Sequence, residues 1–146
     1  MPIILASSIE SPRAVRPLFP MSHLKILVVD DDRLMLTLFV GVLRREGYLS
    51  VEIAKSGKEA LDKIKEMTPD VVFLDIEMPE LSGIEALKAI KDLGIETKVV
   101  MVTATPTAHN VMAAKEGGAS GFLVKPVSPR KVADAIQACK INEIPQ

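Results

Sequence analysis

Val71-Val72-Phe73-Leu74-Asp75-Ile76-Glu77-Met78-Pro79 opens with four apolar residues in a row and sets a carboxylate where the run stops. A strand wetted on one face alternates apolar and polar side chains, whereas an unbroken run is what a parallel sheet covered on both faces demands. The same pattern recurs along the chain. Ile26-Leu27-Val28-Val29 runs into Asp30-Asp31-Asp32, Val99-Val100-Met101-Val102 into Thr103, and Phe122-Leu123-Val124 into Lys125-Pro126. Only Val51-Glu52-Ile53 alternates, which assigns the second strand to an edge of the sheet.

Between these runs lie segments with helical spacing: Leu34 to Arg45, Lys58 to Met67, Ile84 to Leu93, Thr107 to Glu116 and Pro129 to Lys140. Ala60, Leu61, Ile64 and Met67 fall on one face, as do Ile84, Leu87 and Ile90, and all are expected in the core. Val132, Ile136 and Cys139 repeat the spacing, so the single cysteine reads as a buried thiol. Five β-α pairs define an α/β fold with a doubly wound five-stranded parallel sheet. The strand order 2-1-3-4-5 is taken from the common flavodoxin-like order of such folds, with strand two at its edge.

The bulk properties narrow the function. A chain of 146 residues, 48% hydrophobic and 25% charged, has the length and composition of one globular domain. A net charge of -1 gives no electrostatic footprint for nucleic acid or an anionic membrane. One cysteine excludes an intrachain disulfide and a thiolate metal site. No apolar run reaches the roughly 18 residues needed to span a bilayer, and the start of the chain lacks a signal-peptide pattern. The expectation is a cytoplasmic protein. Pro2, Pro12, Pro17 and Pro20, with three serines among them, predict a flexible extension over residues 1–22, ahead of a domain over residues 23–143. Met21 then reads as a candidate natural start.

In an open parallel sheet, ligands bind beyond the carboxyl ends of the strands where the winding reverses, here between strands one and three. Those ends carry Asp30, Asp31, Asp32, Asp75, Thr103 and Lys125. Singly, each has a plain structural role: Asp31 or Asp32 as a helix cap, Thr103 as a strand residue, Lys125 as a snorkelling side chain. Together they do not, because two carboxylates about 4 Å apart repel by about 4 kcal/mol at an effective dielectric near 20. Asp30, Asp31 and Asp75 against Lys125 leave two negative charges to be neutralised. An all-oxygen set of this charge suits Mg²⁺, or Mn²⁺ in its place, with waters and a phosphate oxygen.

These residues and their spacing resemble the receiver domain of two-component response regulators. The resemblance is carried by Ile26 to Asp32, by Leu74 to Pro79 with Gly83, by Val102-Thr103-Ala104, and by Phe122 to Pro126. It covers about His23 to Ile141 and implies the (βα)5 receiver fold. It further implies that Asp75 takes a phosphoryl group from a sensor histidine kinase or a phosphotransfer protein. Asp31, Asp75 and the backbone carbonyl of Glu77 would then hold Mg²⁺, with Asp30 acting partly through water. Lys125 would hold a phosphoryl oxygen, pair with Asp75 in the free protein, and precede a cis peptide bond to Pro126. Thr103 would donate its hydroxyl to the phosphoryl group, and Phe122 would swing inward as Thr103 moves, remodelling the face formed by helix four, strand five and helix five. Glu77 and Thr105 occupy positions that influence phosphoryl hydrolysis in this family.

The chain ends soon after the fifth helix, so the expectation is a stand-alone receiver, of the chemotaxis-regulator type, that signals by phosphorylation-dependent protein binding and is no enzyme beyond its own phosphorylation and dephosphorylation. A small Mg-dependent phosphatase with an aspartate nucleophile is the competing reading, since Asp30 and Asp32 mimic its D-x-D pattern. His109 reads as a solvent or interface residue.

Overall fold

A computed structural model describes residues 23–139. The expected extension over residues 1–22, the start at Met21 and the last residues of the domain to 143 lie outside the described residues. Ten elements alternate: β1 (Lys25–Val29), α1 (Arg33–Arg45), β2 (Ser50–Ala54), α2 (Gly57–Met67), β3 (Val71–Asp75), α3 (Gly83–Asp92), β4 (Lys98–Thr103), α4 (Ala108–Glu116), β5 (Gly121–Val124) and α5 (Pro129–Ala138). All strand pairs are parallel and the order is β2-β1-β3-β4-β5, as expected. Strand β2 forms one edge and exposes alternate residues, with Glu52 paired to Lys63 of α2 at 3.4 Å.

Because side chains point alternately to the two faces of a strand, the unbroken apolar runs feed two cores at once. On one face Ile26, Val28, Phe73, Val100 and Val102 pack with Leu36, Phe39 and Leu43 of α1 and Val132 and Ile136 of α5. The Phe39 and Phe73 rings lie 4.8 Å apart between centroids. On the other face Leu27, Val29, Val72, Leu74 and Met101 meet Ile64 of α2, Leu87 and Ile90 of α3, and Ala114 of α4. Fully burying one such side chain stabilises the fold by roughly 1.5–3 kcal/mol.

One detail of the expected core is corrected and another agrees. Leu61, Met67 and Ile84 are only partly buried and pack against the second cluster from its margin, because they lie at the rim of their helical stripes. Cys139 is buried, and burial pushes its thiol pKa up, in keeping with an inert packing role.

Each helix starts just past the carboxyl end of a strand, and each start is chemically marked. Asp32, Ser56, Ser82, Thr107 and Ser128 cap the five helices by accepting from backbone N–H groups of the first turn. Ser82 and Glu85 form a reciprocal capping box. Short capped connections hold the strand ends together at one mouth. Helix α4 is the least anchored, since only Ala114 of its nine residues is buried.

Candidate functional site

The register of β1 against β3 brings Asp30 and Asp75 to the same end of the sheet. Asp30 continues the ladder by donating its N–H to the Ala54 carbonyl, and Asp75 is the last residue of β3. Both are buried, at 5% and 3% exposure, whereas Asp31 is exposed. One carboxylate oxygen from each of the three lies within 4.8 Å of the others. The backbone below Asp75 is fixed by a close approach: a Cβ on Gly83 would collide with the Asp75 carbonyl oxygen and sit 2.7 Å from the Ile76 Cα. Only glycine lets the β3–α3 turn close there, and its N–H donates to the Ile76 carbonyl at 2.8 Å.

Lys125 leaves the end of β5 and reaches both buried carboxylates, 3.0 Å from Asp30 Oδ2 and 3.3 Å from Asp75 Oδ1. The expected pairing with Asp75 is therefore present, but the hydrogen bond goes to Asp30, which sequence reasoning did not pair with it. Asp75 Oδ1 is buried with no hydrogen-bond partner despite the nearby ammonium. The Lys125-Pro126 bond is cis, in agreement with the resemblance.

One ammonium cannot satisfy two buried carboxylates. Burial, followed by the neighbouring Asp30 charge, pushes the Asp75 pKa up to about 7; Lys125 opposes the shift and Glu77 adds to it. Burial alone would lower the Lys125 pKa, but the carboxylates of Asp30 and Asp75 outweigh it and the net shift is upward. The site thus holds excess negative charge and an orphaned buried oxygen, all on oxygen donors. A hard divalent cation fits that donor set, and Asp30, Asp31 and Asp75 are the residues that could hold it.

Thr103 ends β4, fully buried, one strand over from Asp75. Its hydroxyl does not point its proton at Asp75. It donates to the Glu77 carboxylate, 2.9 Å from Oε1 and 2.8 Å from Oε2, and accepts the Thr105 N–H at 2.9 Å. The Thr105 carbonyl in turn accepts from the Asn110 side chain of α4 at 2.8 Å. Sequence reading assigned Glu77 through its backbone carbonyl and its position, and missed this side-chain bond. Phe122 is partly buried on edge strand β5, packed against the second core cluster. Lys131 was also missed. From α5 it donates to the carbonyls of Val124 at 2.9 Å and Pro126 at 3.1 Å, the two residues flanking Lys125. No motif marks it, because the contact depends on how α5 leans over the β5–α5 turn.

Asp32 Oδ1 accepts from the Leu34 N–H at 2.9 Å and the Met35 N–H at 3.5 Å, so the third aspartate is a cap. Asp30 is committed to Lys125 and to the Asp32 N–H. The D-x-D pair of the phosphatase reading is therefore occupied by structural work, and nothing favours that alternative.

A doubly wound sheet with acidic residues after β1 and β3, a hydroxyl after β4 and a lysine after β5 defines a class: the chain belongs to the response regulator receiver domain family, whose model it matches over residues 26–137. It is a phosphoacceptor response regulator of two-component signalling. Among individual proteins it is similar to the chemotaxis protein CheY of Bacillus subtilis, 39% identical with 80% of this chain and 96% of that protein covered. The chemotaxis protein CheY of Thermotoga maritima is 36% identical over 77% of this chain and 93% of its own. Of solved structures, CheY4 of Vibrio cholerae superposes with a TM-score of 0.73 at 33% identity, covering 78% of this chain and 96% of that one. The CheY of the CheX-CheY-BeF3-Mg complex from Borrelia burgdorferi gives 0.76 at 29% identity, covering 82% and 90%. Among the described residues, no helix is long and apolar enough to cross a membrane.

Proposed function

We propose that Asp75 is the phosphoacceptor of this receiver, and that Asp30, Asp31, Asp75 and the Glu77 backbone carbonyl hold Mg²⁺, with Mn²⁺ as a substitute. The observation that carries the reading is the buried Oδ1 of Asp75, ion-paired to Lys125 but without a hydrogen bond, inside a three-carboxylate cluster. An Asp75 carboxylate oxygen forms the new O–P bond as the N–P bond of a phosphohistidine breaks, and the departing imidazole keeps the electron pair. Mg²⁺, when bound, neutralises negative charge and aligns the phosphoryl oxygens. Lys125 neutralises the charge that builds on the transferring group, and its second partner, Asp30, keeps the ammonium at the site when Asp75 is modified. Thr103 donates its hydroxyl to the phosphoryl group, and Thr103 with Phe122 relays the change to the surface of α4, β5 and α5.

The donor is a sensor histidine kinase or a phosphotransfer protein, and the output is protein binding at that surface, in the cytoplasm. The relative in the Borrelia burgdorferi complex, which holds CheX, BeF3 and Mg, supports a protein partner and a divalent metal for this chain. The chain acts as a signalling phosphoacceptor and catalyses only its own phosphorylation and dephosphorylation. Incubation with acetyl phosphate and Mg²⁺, followed by intact mass and peptide mapping, tests the assignment. A single phosphoryl adduct on the peptide containing Asp75, lost in Asp75→Asn, is expected. A label at Asp30, or none, would overturn it.

A further inference from the structure

A hydroxyl has one proton to give. In this structure the Thr103 hydroxyl already donates its hydrogen bond to the Glu77 carboxylate, and its oxygen accepts from the Thr105 N–H. The bond is charge-assisted, and both carboxylate oxygens stand at 2.8–2.9 Å from the same hydroxyl. Two anions therefore compete for one donor once a phosphoryl group occupies Asp75. The competition is resolvable, because Thr103 is buried but Glu77 is exposed. Displaced, Glu77 moves into water and leaves no buried charge behind.

We propose that the Glu77 side chain is a positioning residue that latches Thr103 in the unphosphorylated arrangement, so that activation requires the phosphoryl group to win from it the hydrogen bond that the Thr103 hydroxyl donates. The inference rests on Asp75 as acceptor and Thr103 as donor, and adds a residue that sets how readily the switch is thrown. The latch extends to the output surface through consecutive hydrogen bonds: Glu77 to Thr103, Thr103 to the Thr105 amide, and the Thr105 carbonyl to the Asn110 side chain at the start of α4. Because Ala114 is the one buried residue of α4, a shift of Thr103 passed on through Thr105 and Asn110 reaches the helix least held by the core. A ligand shifts such a two-state element only by its differential affinity for the two states, so part of the phosphoryl group's interaction is consumed in opening the latch.

The test is a titration with beryllofluoride and Mg²⁺, a phosphoryl stand-in with no transferable group, followed by amide resonances of Thr105 and Asn110. A lost charge-assisted hydrogen bond at a partly exposed site corresponds to roughly three- to tenfold in an equilibrium. Glu77→Ala is expected to lower the beryllofluoride midpoint by that factor and to move the Thr105 amide of the free protein toward its loaded position. Glu77→Gln, which keeps a neutral acceptor, should do so to a smaller extent. In a Thr103→Ala background the Glu77→Ala effect should shrink below about twofold, and in Thr103→Ser, which keeps the hydroxyl, it should persist. An equal fold-change with and without the hydroxyl would mean that Glu77 acts by general charge repulsion, and would overturn the latch alone. A wild-type protein that binds no beryllofluoride, or binds it equally after Asp75→Asn, would overturn the reading of Asp75 and the latch with it. Circular dichroism of each variant establishes that the comparisons are between folded proteins.

Discussion

Asp75 sits where burial and charge disagree. Its folded pKa is about 7, against about 3.9 for an unperturbed aspartate. The folded state therefore holds this proton more tightly than the unfolded chain does, so the group's contribution is fully favourable below about pH 4 and is lost as pH rises toward 7. Replacing the carboxylate by an amide removes the penalty. Each pKa unit is worth about 1.4 kcal/mol, and discounting for solvent on the Asp31 side gives an expected gain for Asp75→Asn of roughly 1–3 kcal/mol at pH 7 to 8. The variant and wild-type curves should converge below pH 4 to 5. Urea denaturation across this range, without divalent metal, measures the difference; parallel curves at all pH values would show that Asp75 is solvated. At this scale the sequence was informative about residue type and uninformative about pairing. Asp30, Asp75, Thr103 and Lys125 were legible because each terminates an apolar run. That Lys125 hydrogen-bonds Asp30, and that Glu77 holds Thr103, depends on side-chain directions at a crowded mouth, which spacing does not encode.

Among the elements, α5 carries a task beyond its buried Val132 and Ile136. Lys131 on its exposed side brackets Lys125 by bonding the carbonyls before and after it. Lys131→Met is expected to loosen that turn and slow acetyl phosphate labelling of Asp75 by roughly three- to tenfold, while costing about 0.5–1.5 kcal/mol of stability or less, as befits exposed hydrogen bonds. Lys131→Arg should recover part of the rate. Labelling rates unchanged by Lys131→Met would show that the β5–α5 turn holds its shape unaided. Helix positions themselves were readable to within about two residues, because capping residues and apolar periodicity are both local signals. The rim residues Leu61, Met67 and Ile84 were read as more deeply buried than they are, since periodicity gives the direction of a face and not the width of what covers it.

For the whole molecule, the sheet gathers excess negative charge at one mouth and leaves the rest of the fold to two apolar layers. A ligand that binds only the folded state stabilises it by about 2.7 kcal/mol at one hundred times its dissociation constant. Saturating Mg²⁺ at pH 7.5 should accordingly raise the melting temperature by roughly 5–10 °C for a domain of this size. The rise should be smaller at pH 5, where the proton on Asp75 competes with the cation, and smaller in Asp31→Asn, which removes one negative charge from the ligand set. Differential scanning calorimetry in chelator against Mg²⁺ reads the shift directly. No shift at pH 7.5 would show that the cluster tolerates its charge without a divalent ion.

The sequence by itself determined the fold class and which strand-end residues meet at one mouth. Unbroken apolar runs require a sheet covered on both faces, helix spacing supplies the cover, and ligands gather at the carboxyl ends of strands in such a sheet. Tertiary structure alone decided who bonds whom at that mouth. Lys125 is shared between two aspartates, Asp75 Oδ1 has no hydrogen-bond partner, and the Thr103 hydroxyl donates to the Glu77 carboxylate. The physical reason is range. Periodicity and capping are settled within a few residues along the chain, whereas these bonds join residues up to 95 positions apart and are set by angles and distances that exist only once the strands are paired.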